Sequence, residues 1–218
     1  MSFPPVSQSV SQSDGGTGSP DLELLVQHLE QATDPGQMVR AVEALGSCGQ
    51  VGALPHLIKA FGFNRPGVAD RALAAVVAFG QQAVEPLLSA IDGYDYGARA
   101  YSVRALARIG DPRAFEFLVE AIQTDFAPSV KRAAVRGLGP VASAGDAHQQ
   151  ARALDVLTQS LQDPDWGLRY AALCGLAEFQ PQGSPPAGIR ELVARVWEED
   201  PDSLVRVKAL GLLQPEVS

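Results

Sequence analysis

From Asp21 onward the apolar positions recur with helical spacing, beginning with Leu22, Leu25, Val26 and Leu29 at i, i+3, i+4 and i+7, which predicts an amphipathic helix. Period-two alternation appears nowhere, so no strand is expected. The pattern also repeats. Aligning residues 39–49, 69–80, 99–110, 131–142, 169–179 and 206–213 on their small and aliphatic positions makes Gln37, Val68, Ala98, Val130, Leu168 and Val205 equivalent, at successive spacings of 31, 30, 32, 38 and 37 residues. Each of these first helices is followed by a short break and a second helical stretch, at 53–61, 83–91, 114–122, 151–161 and 188–197. The expectation is all-α: a curved α-solenoid of about five to six helix pairs over residues 21–218.

Punctuation agrees with this register. Asp34-Pro35, Asp163-Pro164 and Asp200-Pro201 precede first helices and Asp111-Pro112 precedes a second one, as a helix entrance favours an N-cap acceptor and tolerates proline in its first turn. Residues 1–20, rich in Ser, Gly, Pro and Gln, have almost nothing to bury and are expected to form a disordered tail.

Composition adds exclusions. Apolar residues make up 46% of the 218 residues but aromatics only 6%, so the core is built from Ala, Val and Leu, and alanines such as Ala105, Ala134 and Ala172 let helices approach closely. A net charge of −8 argues against a phosphate-tracking surface, so no nucleic-acid partner is expected. The longest apolar run, Ala72 to Phe79, has eight residues, too few to span a bilayer, and no secretory signal is visible. Cys48 and Cys174 fit neither zinc spacing nor a disulfide framework, and both occupy small-residue positions that suit buried, inert thiols. Together these features point to a cytoplasmic setting. His28, His56 and His148 are scattered without ligand partners, so no metal site is expected.

Three turns carry residues a plain repeat does not require. Residues 92–101 hold Tyr94, Tyr96 and Tyr101 beside Asp92, Asp95 and Arg99; residues 125–139 hold Lys131, Arg132 and Arg136; residues 163–170 hold Trp166, Arg169 and Tyr170. Stacking places equivalent turns side by side, so these three are expected to form one rim suited to a flat, conjugated, acidic ligand. Tyr101 and Tyr170 lie within helices and read as packing residues, whereas Tyr94 and Tyr96 lie in the turn. Arg99, Lys131, Arg169 and Arg206 are equivalent, and an aspartate–arginine ladder along the turns would account for them without any ligand. The residues alone lead to an acidic helical-repeat protein with an aromatic and basic rim.

The repeats, with Gly110, Asp111, Pro112 and Arg113 between two helices, resemble HEAT repeats. Residues 92–99, Asp-Gly-Tyr-Asp-Tyr-Gly-Ala-Arg, together with the runs 124–139 and 163–176, resemble the E/F-type phycobilin lyases, on the F-subunit side. The family commonly has Asn at Asp95 and Trp at Tyr101. The resemblance implies attachment of phycocyanobilin, as substrate rather than cofactor, through a thioether to a cysteine of the phycocyanin alpha subunit, together with an E-type partner subunit. It assigns catalysis to Asp92 and Tyr94 and substrate binding to Asp95, Tyr96, Arg99, Arg132, Arg136, Trp166 and Arg169: aspartates on pyrrole N–H groups, tyrosines against a ring or relaying a proton, arginines on propionates. Isomerising members carry a His-Cys pair, and no His is followed by Cys here, so attachment without isomerisation is expected. A different bilin such as phycoerythrobilin, or a non-catalytic scaffold or phycobilisome-degradation adaptor, remains open on sequence alone.

Overall fold

A computed structural model describes residues 21–90, 96–179 and 188–214, with the backbone of Tyr96 but not its side chain. Among the described residues there are twelve α-helices and no strand: α1 (Leu22–Gln31), α2 (Pro35–Ser47), α3 (Leu54–Lys59), α4 (Pro66–Ala78), α5 (Val84–Ser89), α6 (Tyr96–Ile109), α7 (Phe115–Thr124), α8 (Pro128–Ser143), α9 (Ala147–Ser160), α10 (Trp166–Glu178), α11 (Ile189–Glu199) and α12 (Ser203–Leu213). The even-numbered helices pack side by side in one layer and the odd-numbered helices in a second. No single helix among the described residues is long and apolar enough to cross a membrane.

The sequence register holds residue by residue. Gln37, Val68, Ala98, Val130, Leu168 and Val205 are each the third residue of an even-numbered helix. The division into pairs differs, because α1 packs against α2, α7 against α8 and α11 against α12. The six units therefore run from an odd helix to the even one after it, through turns that carry Asp34, Asp125, Asp163 and Asp200 in four of the six, one helix earlier than the sequence division. The spacing rises to 38 residues where α8 and α9 lengthen to 16 and 14 residues, and to 37 where residues 179–188 separate α10 from α11.

Caps set the ends. Asp34 accepts from the Gln37 N–H at 3.0 Å, and Asp146 and Gln149 form a reciprocal capping box at 2.8 and 3.2 Å. Just past α2 and α6, Gly49 and Gly110 adopt φ of 67° and 70°, a left-handed turn that glycine enters without a Cβ penalty. Asp163 and Asp200 are not the N-caps of α10 and α12: Asp165 and Asp202 hold those positions, and the earlier aspartates accept the N–H of those caps at 2.8 Å each. The core is aliphatic, with Phe61 and Phe115 the fully buried aromatic side chains.

The layer is closest at α6, α8 and α10. A Cβ on Gly137 would overlap Ala107 of α6, and one on Gly139 would overlap the Gly175 carbonyl of α10. These backbones touch, so no side chain fits between them. Gly139→Ala and Gly137→Ala are expected to destabilise the protein by about 1–3 kcal/mol each. Gly67→Ala, whose Cβ would meet nothing within 4 Å, is expected to be neutral or mildly stabilising. Chemical denaturation of the three variants checks this.

Candidate functional site

Position along the even helices decides what a residue does. At α6, α10 and α12 the fourth residue is an arginine that braces a turn. Arg99 of α6 places Nε 2.7 Å from the buried Asp125 carboxylate, and its guanidinium lies 5.4 Å from the Phe117 ring. Arg169 of α10 grips Asp200 at 2.7 and 3.0 Å and donates to the Asp163 and Pro164 carbonyls at 2.9 and 3.2 Å. Arg206 of α12 donates in the same way to the carbonyls of Asp200 and Pro201. This is the aspartate–arginine ladder.

The ladder is interrupted at α8. Its fourth residue is Lys131, and the neighbouring Arg132 instead donates two 2.8 Å bonds to Asp165, the cap of α10, while lying 6.0 Å from the Trp166 ring centre. One residue of displacement turns an arginine from the turn to the open face.

That face carries a groove of about 730 Å³ across α6, α8 and α10, within the roughly 300–1,000 Å³ typical of small-molecule sites. Arg104 and Arg108 line it from α6, Arg132 and Arg136 from α8, and Trp166 and Tyr170 from α10. Arg104 and Arg136 are the ninth residues of their helices, and Arg108 stands one turn beyond Arg104. Arg136 makes one long, exposed contact of 3.7 Å with Glu178, and Arg108 has no ion pair among the described residues. Trp166 is 45% exposed and Tyr170 37%, so both rings present surface to the groove. A flat anion placed here meets guanidiniums along one side and aromatic faces along the other.

Of the site residues expected from sequence, Arg132, Arg136 and Trp166 come together in this groove. Arg99 and Arg169 do not line it, being held on Asp125 and Asp200, with Arg169 only 8% exposed. Asp92, Tyr94 and Asp95 lie outside the described residues, as does the side chain of Tyr96. Tyr101 packs as expected, its ring 5.6 Å from that of Phe61 and its hydroxyl donating to Asp70 at 3.0 Å. Tyr170 differs from its reading as a packing residue, because a helix side facing the groove has nothing to bury it. Arg104 and Arg108, which also line the groove, lie within α6 and away from the three turns. Their signal was the recurrence of arginine five residues after the ladder position, at 104 and 136.

Cys174 also lines the groove but is buried at 6% exposure. Burial pushes its thiol up, and Lys208 and Arg136 only partly oppose this, so it stays protonated and a poor nucleophile near neutral pH. Among the described residues no group of three His, Cys, Asp or Glu side chains is placed to hold a metal ion.

Two layers of helices with a charged groove across one of them define a helical-repeat binding protein, and the family model for HEAT repeats matches residues 64–139 and 116–214. The phycocyanobilin lyase subunit beta of a Nostoc species is 45% identical over 157 residues, 70% of this chain and 78% of that one. The phycocyanin alpha phycocyanobilin lyase CpcF of a Synechocystis species is 36% identical over 202 residues, 90% of this chain and 94% of the relative. A solved structure of the complex of CpcE and CpcF of phycocyanin lyase from Nostoc contains a chain with 40% identity and a TM-score of 0.70, covering 76% of this chain and 100% of that one. The chain belongs to the HEAT-repeat family of phycocyanobilin lyase beta subunits, the CpcF-type proteins.

The ladder has a pH signature. Burial alone would raise the Asp200 carboxyl, but the hydrogen bonds from Arg169 and the Asp202 N–H outweigh it and hold it below the usual range. The Arg132 hydrogen bond does the same to Asp165. With folded-state values depressed, the stability they contribute is complete above the ordinary carboxylate value of about 4 and is lost as pH falls through the folded values. Asp200→Asn is expected to flatten the acid limb of the stability–pH curve. Asp200→Ala, which strands a buried guanidinium, is expected to cost about 3–5 kcal/mol at pH 7. Urea titrations between neutral and acid pH read both.

Proposed function

We propose that this chain is the beta-type subunit of a two-subunit lyase that, with an E-type partner, joins phycocyanobilin to a cysteine of the phycocyanin alpha subunit. The observation that carries the site assignment is the quartet Arg104, Arg108, Arg132 and Arg136 on two adjacent helices of a chain whose net charge is −8. A linear tetrapyrrole is flat, conjugated and bears two propionates. Arg104, Arg108 and Arg136 stand beside Arg132, which also braces Asp165, to meet the carboxylates, and Trp166 and Tyr170 offer faces for a pyrrole ring.

The reaction is an addition. The acceptor sulfur bonds to the exocyclic ethylidene carbon on ring A, the double bond opens, and the thiol's proton is balanced by one delivered to the ring carbon. Nothing leaves and nothing is oxidised, so the chemistry calls for no resident cofactor. The nucleophile belongs to the acceptor, in keeping with a buried, protonated Cys174 on this chain. What this chain contributes is positioning: arginines that fix the propionates and aromatic rings that fix one end limit the ways a thiol can meet the bilin. In our reading Asp92 and Tyr94, in the segment leading into α6, handle the proton, and Asp95 and Tyr96 contact the pigment. The double bonds of the pigment otherwise stay in place, and the setting is cytoplasmic.

The test is co-expression with the E-type partner, a bilin source and the alpha subunit, reading covalent pigment by absorbance and fluorescence of the denatured acceptor. Each charge-assisted bond is worth about 1.5–3 kcal/mol, so Arg104→Ala with Arg136→Ala is expected to cut transfer about ten-fold or more in a folded protein. Wild-type transfer by that variant would remove the groove from the reaction. An uncoloured acceptor with the unaltered pair and bilin present would overturn the lyase reading.

A further inference from the structure

Resting on the pigment groove proposed above, we infer that Tyr101 is the positioning residue for Arg104: its ring aims that guanidinium into the groove without neutralising it, so Arg104 meets a ligand carboxylate with its charge intact. Tyr101 and Arg104 stand three residues apart on α6, a spacing that makes side chains neighbours on a helix surface. The Arg104 guanidinium lies over the Tyr101 ring, 5.2 Å from its centre, and Arg104 lines the groove. The ring is itself fixed. It stacks on the buried Phe61 with centres 5.6 Å apart, and its hydroxyl donates to Asp70 of α4 at 3.0 Å.

Arg104 differs from the other arginines that rest on rings. Among the described residues Arg99 stands over Phe117, Arg132 over Trp166 and Arg152 over Phe115, and each of these also grips a carboxylate, of Asp125, Asp165 and Glu116 respectively. Arg104 has the ring and no ion pair among the described residues. A carboxylate orders a guanidinium but cancels its charge and occupies its donors. A ring face orders it through the quadrupole and leaves its N–H groups for a ligand. Order matters here, because an arginine free in solvent loses rotamer freedom when it captures an anion, and one already resting on a ring loses less. Burial and then the Asp70 carboxylate push the Tyr101 phenol up, outweighing Arg104, so near neutral pH the hydroxyl stays protonated and bound to Asp70. Asp70 thus anchors the ring, and the ring carries the arginine.

The experiment titrates the assembled two-subunit lyase with phycocyanobilin and with its dimethyl ester, by absorbance, and compares the preference for the acid. Tyr101→Leu removes the ring face, and Tyr101→Met removes it while a flexible side chain still covers Phe61, which guards against a packing defect in the leucine variant. Both are expected to reduce the acid preference about three- to five-fold, the worth of one exposed cation–π contact, and to leave ester affinity unchanged. Tyr101→Trp, which supplies another ring face, is expected to keep the preference. With Arg104→Ala already in place, Tyr101→Met is expected to have no further effect on acid binding, since Tyr101 acts through Arg104. An undiminished acid preference in the leucine and methionine variants would overturn the inference, as would an equal loss of acid and ester affinity, the mark of a merely structural tyrosine. Failure of the groove assignment reads differently: Arg104→Ala would itself leave the acid preference unchanged, and both readings would be overturned.

Discussion

No side chain fits between Gly137 and Ala107, or between Gly139 and Gly175, and these contacts set the distance between α6, α8 and α10. The rest of the even-helix layer follows from that closeness. Arginines at the ninth position of α6 and α8, a turn apart in neither helix, become neighbours only because the backbones touch. Guanidiniums gathered in this way repel one another, and an anion between them relieves the repulsion. The aliphatic core beneath supplies the packing that holds like charges together, so a groove of positive character persists on an acidic molecule.

A single residue of register separates structure from recognition. The fourth residues of α6 and α10 point along the stack and tie one turn to the next, Arg99 to Asp125 and Arg169 to Asp200. Arg132 at the fifth position of α8 and Arg104 and Arg136 at the ninth positions of α6 and α8 line the groove instead. At α8 the ladder arginine is replaced by lysine and the arginine moves to the fifth position, where it braces the α10 cap and still borders the groove. Along the same face the character then changes from basic on α6 and α8 to aromatic on α10, an ordering that matches a carboxylate-bearing ligand and its conjugated body.

Much of the fold was legible because a solenoid repeats its local rules. The third residues of six helices were found from small and aliphatic spacing, since the close helix contacts impose those residue types at every turn of the stack. The pair division was misplaced by one helix because α1, with no earlier copy to align to, was not counted as half of a unit. The site was less legible. Clustering of rare aromatics and arginines drew attention to the turns, yet side chains on successive even helices converge across their faces, so Arg104 and Arg108 entered the groove while Arg99 and Arg169 turned into the ladder. Separating those fates requires knowing which way a helix residue points, and that depends on the rotation of each helix against its neighbours. Tyr170 shows the same limit, since an aromatic one turn into a helix packs or projects according to that rotation alone.

The central claim is that the arginine groove holds the pigment through its carboxylates. Its most direct test is the affinity of the assembled two-subunit lyase for phycocyanobilin and for its dimethyl ester, read by absorbance titration. The ester keeps the conjugated rings and loses both negative charges. The free acid is expected to bind about ten-fold tighter or more, the equivalent of one good charge-assisted bond, and the difference to disappear when Arg104 and Arg136 are replaced by alanine. Equal affinity for the acid and the ester would contradict it.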